Sequence, residues 1–218
     1  MTLPRDADIL WHTALALARR SGGVSPHGRI LPPLLFFTDP QRTPKPWRVA
    51  DHLPAGACVV YRAFSRPDAL EVGHRLRAAC NIAGVSLLVG RDEGLARAIA
   101  ADGVHLPEAD MGRAKSMRAV NPNWIITSAL HGPLGHRSAQ GLDAFVVSPV
   151  FLAGGTSAAK PDLGLHQTAR LIESLHCPAY ALGGINAANA QQLIDTGACG
   201  IAGIDAIQNA FASERFSG

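Results

Sequence analysis

The stretch ALGGINAANAQQLIDTGACGIAGIDAI, Ala181–Ile207, decides the fold. It opens inside a short apolar run, Ala179–Leu182, that shows no strict polar/apolar alternation. Strands buried on both faces read this way, and they belong to parallel sheets covered on both sides. After the Gly183-Gly184-Ile185 turn, the spacing predicts a helix over Ala187–Thr196. A second apolar strand is predicted over Gly200–Ile204. Strand, helix and strand in that order make a βαβ unit.

Outward from this unit the alternation repeats. Apolar runs predict strands over Leu34–Thr38, Ala57–Tyr61, Ser86–Val89, Gly103–Leu106, Trp124–Thr127 and Ala144–Ser148. Helical patterns lie between runs, among them Pro67–Ala83, Glu93–Ala101 and Leu165–Leu175. About eight such repeats point to an α/β protein with a closed (β/α)8 TIM barrel rather than an open doubly wound sheet. Ahead of the first strand, Asp6–Arg20 reads as an amphipathic helix. Ile9, Leu10, Thr13, Leu17 and Ala18 fall near one face, and Ser21-Gly22-Gly23 ends it. The chain thus divides into an N-terminal helix and linker, 1–30, and a single barrel domain, 31–218. The helix is expected to cap the barrel's bottom or to pack on its side.

Composition narrows the function. Apolar residues make up 47% of the 218, enough for a sizeable core, and charged residues only 17%, which argues against long disordered tails. The net charge of +3 is scattered, without a Lys/Arg block, so nucleic acid is not an expected partner. A weakly basic pocket for an anionic small molecule agrees with it. Acidic Asp6 and Asp8 precede the first apolar run, unlike a signal peptide. No stretch reaches the ~20 apolar residues of a membrane span, so neither export nor a membrane is expected. Cys58, Cys80, Cys177 and Cys199 are far apart and lack CxxC spacing, which predicts reduced thiols and a cytoplasmic protein. Nothing in the sequence opposes a homo-oligomer.

In a TIM barrel the chemistry sits at the C-terminal ends of the strands. Four segments there, in this order, carry a resemblance to a known family: LLFFTD (Leu34–Asp39), ADGVHL (Ala101–Leu106), DAFVVSPVF (Asp143–Phe151) and the Ala181–Ile207 stretch. On these residues the chain resembles the thiamine phosphate synthase/TenI family from about Leu34 to Ala212. The resemblance implies a TIM barrel of thiamine biosynthesis. Synthase members join a hydroxymethylpyrimidine diphosphate to a thiazole phosphate with Mg²⁺ on the diphosphate, and TenI-type members tautomerise the thiazole phosphate.

Carried over residue by residue, the resemblance implies these roles. Arg62 keeps the Arg of a Gln-x-Arg-x-Lys motif, while Val60 and Phe64 replace its Gln and Lys. An Arg at a strand end can clamp a phosphate. At the third strand's exit, Gly90-Arg91 stands where synthases have Asn-Asp, so a metal carboxylate is replaced by a cation. Asp110 aligns with the second metal Asp, and it also suits the N-cap of the next helix. Mg²⁺ is therefore expected to be poorly supported, and no other cofactor is implied.

His105 in GVHL and Ser128 are expected to touch substrate, and His131 stands one place later than the family's His. A His is the natural acid/base there. In the sixth loop, Thr156, Ser157 and Lys160 supply hydroxyls and a cation like the family's Thr-x-Thr-Lys, at different spacing. Arg62, His131 and Lys160 are the expected catalytic residues. Gly183, Gly184 and Gly203 match the barrel phosphate site. Asp205 replaces a small hydroxyl residue there and would compete with a phosphate.

The expected ligand is a phosphorylated thiazole or pyrimidine. The expected activity is weak thiamine phosphate synthase turnover. Two alternatives stand beside it: a TenI-like thiazole tautomerase using His131, and a non-catalytic ligand-binding or regulatory barrel.

Overall fold

The computed structural model describes residues 3–152 and 161–212. Eight parallel strands close into a barrel in sequence order: β1 (Leu34–Phe37), β2 (Cys58–Tyr61), β3 (Ser86–Gly90), β4 (Gly103–Leu106), β5 (Ile125–Leu130), β6 (Ala144–Val147), β7 (Ala179–Leu182) and β8 (Gly200–Gly203). β8 pairs with β1, Leu35 lying opposite Ala202, which seals the seam. The helices are α1 (Arg5–Ser21), α2 (Pro46–Ala50), α3 (Ala69–Ala83), α4 (Glu93–Ala98), α5 (Ala114–Val120), α6 (Gly164–Glu173) and α7 (Asp205–Phe211).

The absence of alternation in the strands has its cause in two separate cores. Successive strand side chains point to opposite faces. Leu35, Phe37, Val60, Leu88, Val146, Tyr180 and Ala202 fill the barrel interior, with Leu31 beside them. Leu34, Phe36, Val59, Val89, Ile126, Phe145 and Ile201 pack outward into the helical layer. Both faces are dry, so both demand apolar residues. The four cysteines are free and buried in this packing.

Helix α1 packs on the barrel's side. It buries Ala7, Leu10, Thr13, Ala14 and Leu17 and touches β8, β1, α7 and the segment Ala190–Leu193. The helix predicted over Ala187–Thr196 is in fact only a 3₁₀ turn, Ala190–Leu193. Asn side chains capture the backbone at its start. Asn189 Oδ1 accepts from the Asn186 amide at 2.8 Å, Asn186 Oδ1 accepts from the Ala188 amide at 2.8 Å, and Asn189 Nδ2 donates to the Gly184 carbonyl. Such local bonds offer the chain an alternative to the helical ladder. Helix α1 lies against this thinly covered sector. β5 extends three residues beyond the run predicted for it, to Leu130.

At the opposite end from the strand exits, Asp143 is fully buried just before β6. It accepts from the Ile126 amide at 2.8 Å and pairs with Arg118. That ion pair ties β5, β6 and α5 together at the barrel's bottom. Among the described residues, no helix is long and apolar enough to cross a membrane.

Candidate active site

A cavity of about 610 Å³ opens at the C-terminal ends of the strands. Phe37, His105, Val146 and Leu182 form part of its floor, Arg42, Arg62 and Asp205 contribute its charged groups, and His131 lines it too.

His105 sits on the interior face of β4, opposite Thr127 of β5. Its Nδ1 is 3.0 Å from the Thr127 hydroxyl, and its ring meets Phe37 edge-on at 4.9 Å. Burial, with the nearby charges of Arg62 and His131, pushes its pKa down to about 3. The ring is therefore neutral near pH 7, and it can exchange hydrogen bonds with a ligand without carrying charge.

His131 follows β5 and is exposed at the cavity wall. Its amide donates to the Glu108 carboxylate at 3.1 Å, which fixes the loop. Its Nδ1 lies 2.9 Å from the Ser148 carbonyl and 3.2 Å from the Ser148 hydroxyl. A carbonyl only accepts, so the contact assigns the proton to Nδ1. Nε2 is left with a lone pair in the neutral ring, as a general base requires.

Arg62 leaves β2 and is held on three sides. Its Nε donates to the Thr38 carbonyl at 2.7 Å, its amide donates to the Thr38 hydroxyl at 3.0 Å, and its guanidinium lies 5.2 Å from the Phe64 ring and 5.6 Å from the Phe37 ring. Gly90 makes room for it, since a Cβ there would stand 3.1 Å from Arg62 Cγ. The departures at Phe64 and Gly90 thus both serve Arg62. Burial lowers the Arg62 pKa from its usual value, against the pull of Asp39. Its Nη2 is buried without a hydrogen-bond partner among the described residues, 3.8 Å from Asp39.

Arg42 was not picked out by the sequence reading, although Asp39 three residues before it stands at a strand exit. The Asp39 carboxylate accepts the amides of Gln41 and Arg42, at 3.1 and 3.2 Å, and so folds the loop back on itself. Burial pushes the Asp39 carboxyl up, but these amides and the Arg42 guanidinium outweigh it and hold it below its ordinary value. Arg42 then reaches Asp205, Nη1 to Oδ2, at 2.8 Å. Asp205 makes no capping bond to the α7 amides.

The remaining predicted residues divide. Gly183 and Gly184 line the cavity with φ of 106° and 64°. A Cβ on Gly183 would stand 2.8 Å from Pro149, and one on Gly184 would collide with the Leu152 carbonyl. Close approach of the loop after β6 is therefore enough to require both glycines. Gly203 lines the cavity too. Ser128 is fully buried on the outward parity of β5, shared with Ile126 and Leu130, and its hydroxyl turns to the Ala129 carbonyl. It faces the helical layer, and the cavity-side residues of β5 are Thr127 and Ala129. Thr156, Ser157 and Lys160 lie outside the described residues.

Asp110 is not an N-cap. It lies inside a 3₁₀ helix, Glu108–Arg113, and pairs with Arg91 at 3.2 Å. Glu108 pairs with Arg137. Among the described residues no three His, Cys, Asp or Glu side chains gather at one point. Mg²⁺ takes hard oxygen ligands in tight octahedral geometry. Here the Asp110 carboxylate is paired with Arg91, whose side chain is 74% exposed.

Residues 34–207 match the sequence model of a family described as thiamine monophosphate synthase. A putative thiamine-phosphate synthase of Geobacter sulfurreducens is 33% identical over 154 residues, covering 69% of this chain and 72% of that one. The thiamine-phosphate synthase of Archaeoglobus fulgidus is 34% identical over 145 residues, 66% of this chain and 69% of that one. Among solved structures, thiamine phosphate pyrophosphorylase from Pyrococcus furiosus superposes with a TM-score of 0.68 at 27% identity, covering 82% of this chain and 91% of that chain. The chain belongs to the thiamine monophosphate synthase family.

Proposed function

We propose that this member of the thiamine monophosphate synthase family binds a phosphorylated thiazole in the cavity at its strand exits and turns over weakly as a synthase. The Arg91–Asp110 pair, at 3.2 Å, carries the second half of that reading. A diphosphate leaving group needs its developing charge stabilised by metal and cationic donors. Here the carboxylate aligned with a metal ligand is neutralised by Arg91, and the other metal position is Arg91 itself. The binding half rests on Arg62, which is fixed by Thr38 with one nitrogen unpartnered among the described residues, and on the glycine turn that lines the same cavity.

The test is a coupling assay with the pyrimidine diphosphate, the thiazole phosphate and Mg²⁺. Trace turnover is expected. Rates ordinary for a synthase would overturn the assignment.

One observation favours a second reading. His131 holds its proton on Nδ1 against the Ser148 carbonyl and presents Nε2 as a base. That arrangement suits metal-free proton transfer on a thiazole ring, as a tautomerase performs. A non-catalytic binding protein would keep the cavity and lose both activities. Thermal shift separates these cases: stabilisation by the thiazole phosphate supports a pathway role, and stabilisation only by an unphosphorylated ligand supports a repurposed pocket.

A further inference from the structure

Two cations and two carboxylates meet where the barrel closes between β8 and β1. Arg42 contacts Asp205 at 2.8 Å and Asp39 at 3.3 Å, and Arg62 approaches the same Asp39 oxygen at 3.8 Å. The four formal charges cancel with no ligand present. Arg42 and Asp205 both line the cavity beside Gly183, Gly184 and Gly203.

The two carboxylates are not equivalent. Asp39 is anchored by two backbone amides, and its side chain is 21% exposed. Asp205 is 54% exposed and has no partner among the described residues except Arg42. Asp205 is therefore the group that can be displaced. A phosphate monoester brings roughly −1.5 to −2 charges at pH 7 and pairs with guanidinium groups through two parallel hydrogen bonds. At this spot it meets a cation already taken and a like charge beside it.

We infer that Asp205 is a built-in competitor for the ligand's phosphate: a phosphate ester binds by taking Arg42 away from Asp205. Asp205 is then the residue that sets how strongly the pocket prefers a phosphate ester over the corresponding alcohol. The thiazole scaffold in this statement rests on the proposed function, whereas the competition for Arg42 does not.

Isothermal titration of the whole chain tests it, with inorganic phosphate, the thiazole phosphate and the thiazole alcohol as probes. Asp205→Asn is expected to tighten inorganic phosphate and the phosphate ester by about tenfold, leaving the alcohol within about twofold. In an Arg42→Gln background the same change is expected to bring no gain, because the contested cation is gone. Asp205→Ser serves as a second variant should the Asn retain its bond to Arg42. Unchanged phosphate affinity in folded Asp205→Asn and Asp205→Ser, or a gain that persists without Arg42, overturns the inference. If inorganic phosphate tightens but no variant binds the thiazole phosphate, the inference stands and the proposed function falls. If the thiazole phosphate binds wild type and both variants alike, the proposed function stands and the inference falls.

Discussion

His131 Nδ1 lies 2.9 Å from the Ser148 carbonyl oxygen, joining the exits of the adjacent strands β5 and β6. The bond sets the tautomer and leaves the lone pair of the neutral ring on Nε2. General acid–base groups contribute about 10²–10⁴-fold. His131→Ala is therefore expected to lower kcat for thiazole phosphate tautomerisation by roughly that factor, with KM changed only a few-fold. Steady-state kinetics on the thiazole carboxylate phosphate checks it. Unaltered kcat removes His131 from the mechanism.

His105 behaves differently because it is buried. Its pKa of about 3 in the folded chain is below the ordinary value of 6.5. The unfolded chain takes up a proton near pH 6.5, while the folded one resists until about pH 3. Stability from this residue is complete above pH 6.5 and declines as pH falls toward 3, by about 1.4 kcal/mol per pH unit at the steepest. Urea unfolding at several pH values is expected to show that slope, and His105→Gln to flatten it. A His105 ring proton that titrates between pH 5 and 8 in NMR would contradict the assignment.

Arg91 holds a left-handed φ of 66° and is the cation that occupies Asp110. Replacing it by Asp sets two carboxylates side by side. Mg²⁺ at about ten times its Kd is then expected to raise the melting midpoint by about 3–6 °C. Wild type is expected to show no such shift. Equal Mg²⁺ stabilisation of wild type, reversed by a chelator, would mean that the native residues already hold the metal.

Ser128 and Thr127 are neighbours on opposite faces of β5. Ser128→Ala is expected to leave ligand affinity within about twofold, since among the described residues its hydroxyl bonds only to the Ala129 carbonyl. Thr127→Val removes the partner of a buried His105 nitrogen and is expected to cost about 1–3 kcal/mol in stability. It should also weaken ligand binding. Calorimetry on both variants decides which face of β5 meets the ligand.

Much of the barrel was legible because eight apolar runs separated by helical patterns have few parallel arrangements open to them. Leu34–Asp39 and Ala181–Ile207 carried the family resemblance, and the strand-exit rule pointed to Arg62, His105 and His131, which all line the cavity. The helix after Gly184 was misread because alanine-rich spacing looks helical, whereas Asn186 and Asn189 divert the backbone. Ser128 was misplaced for a different reason. A strand dry on both faces carries no polar side to mark its inward residues, and a one-residue change of register exchanges the faces.

What the sequence determined by itself was the number and order of strands, their burial on both sides, and the family. Those follow from local apolar content and from residues close together along the chain. Only the tertiary structure decided the pairings that give the site its character: Arg42 with Asp205 and Arg91 with Asp110. Arg42 and Asp205 are 163 residues apart. Barrel closure brings β8 beside β1, and a charge has no partner until the chain folds around it.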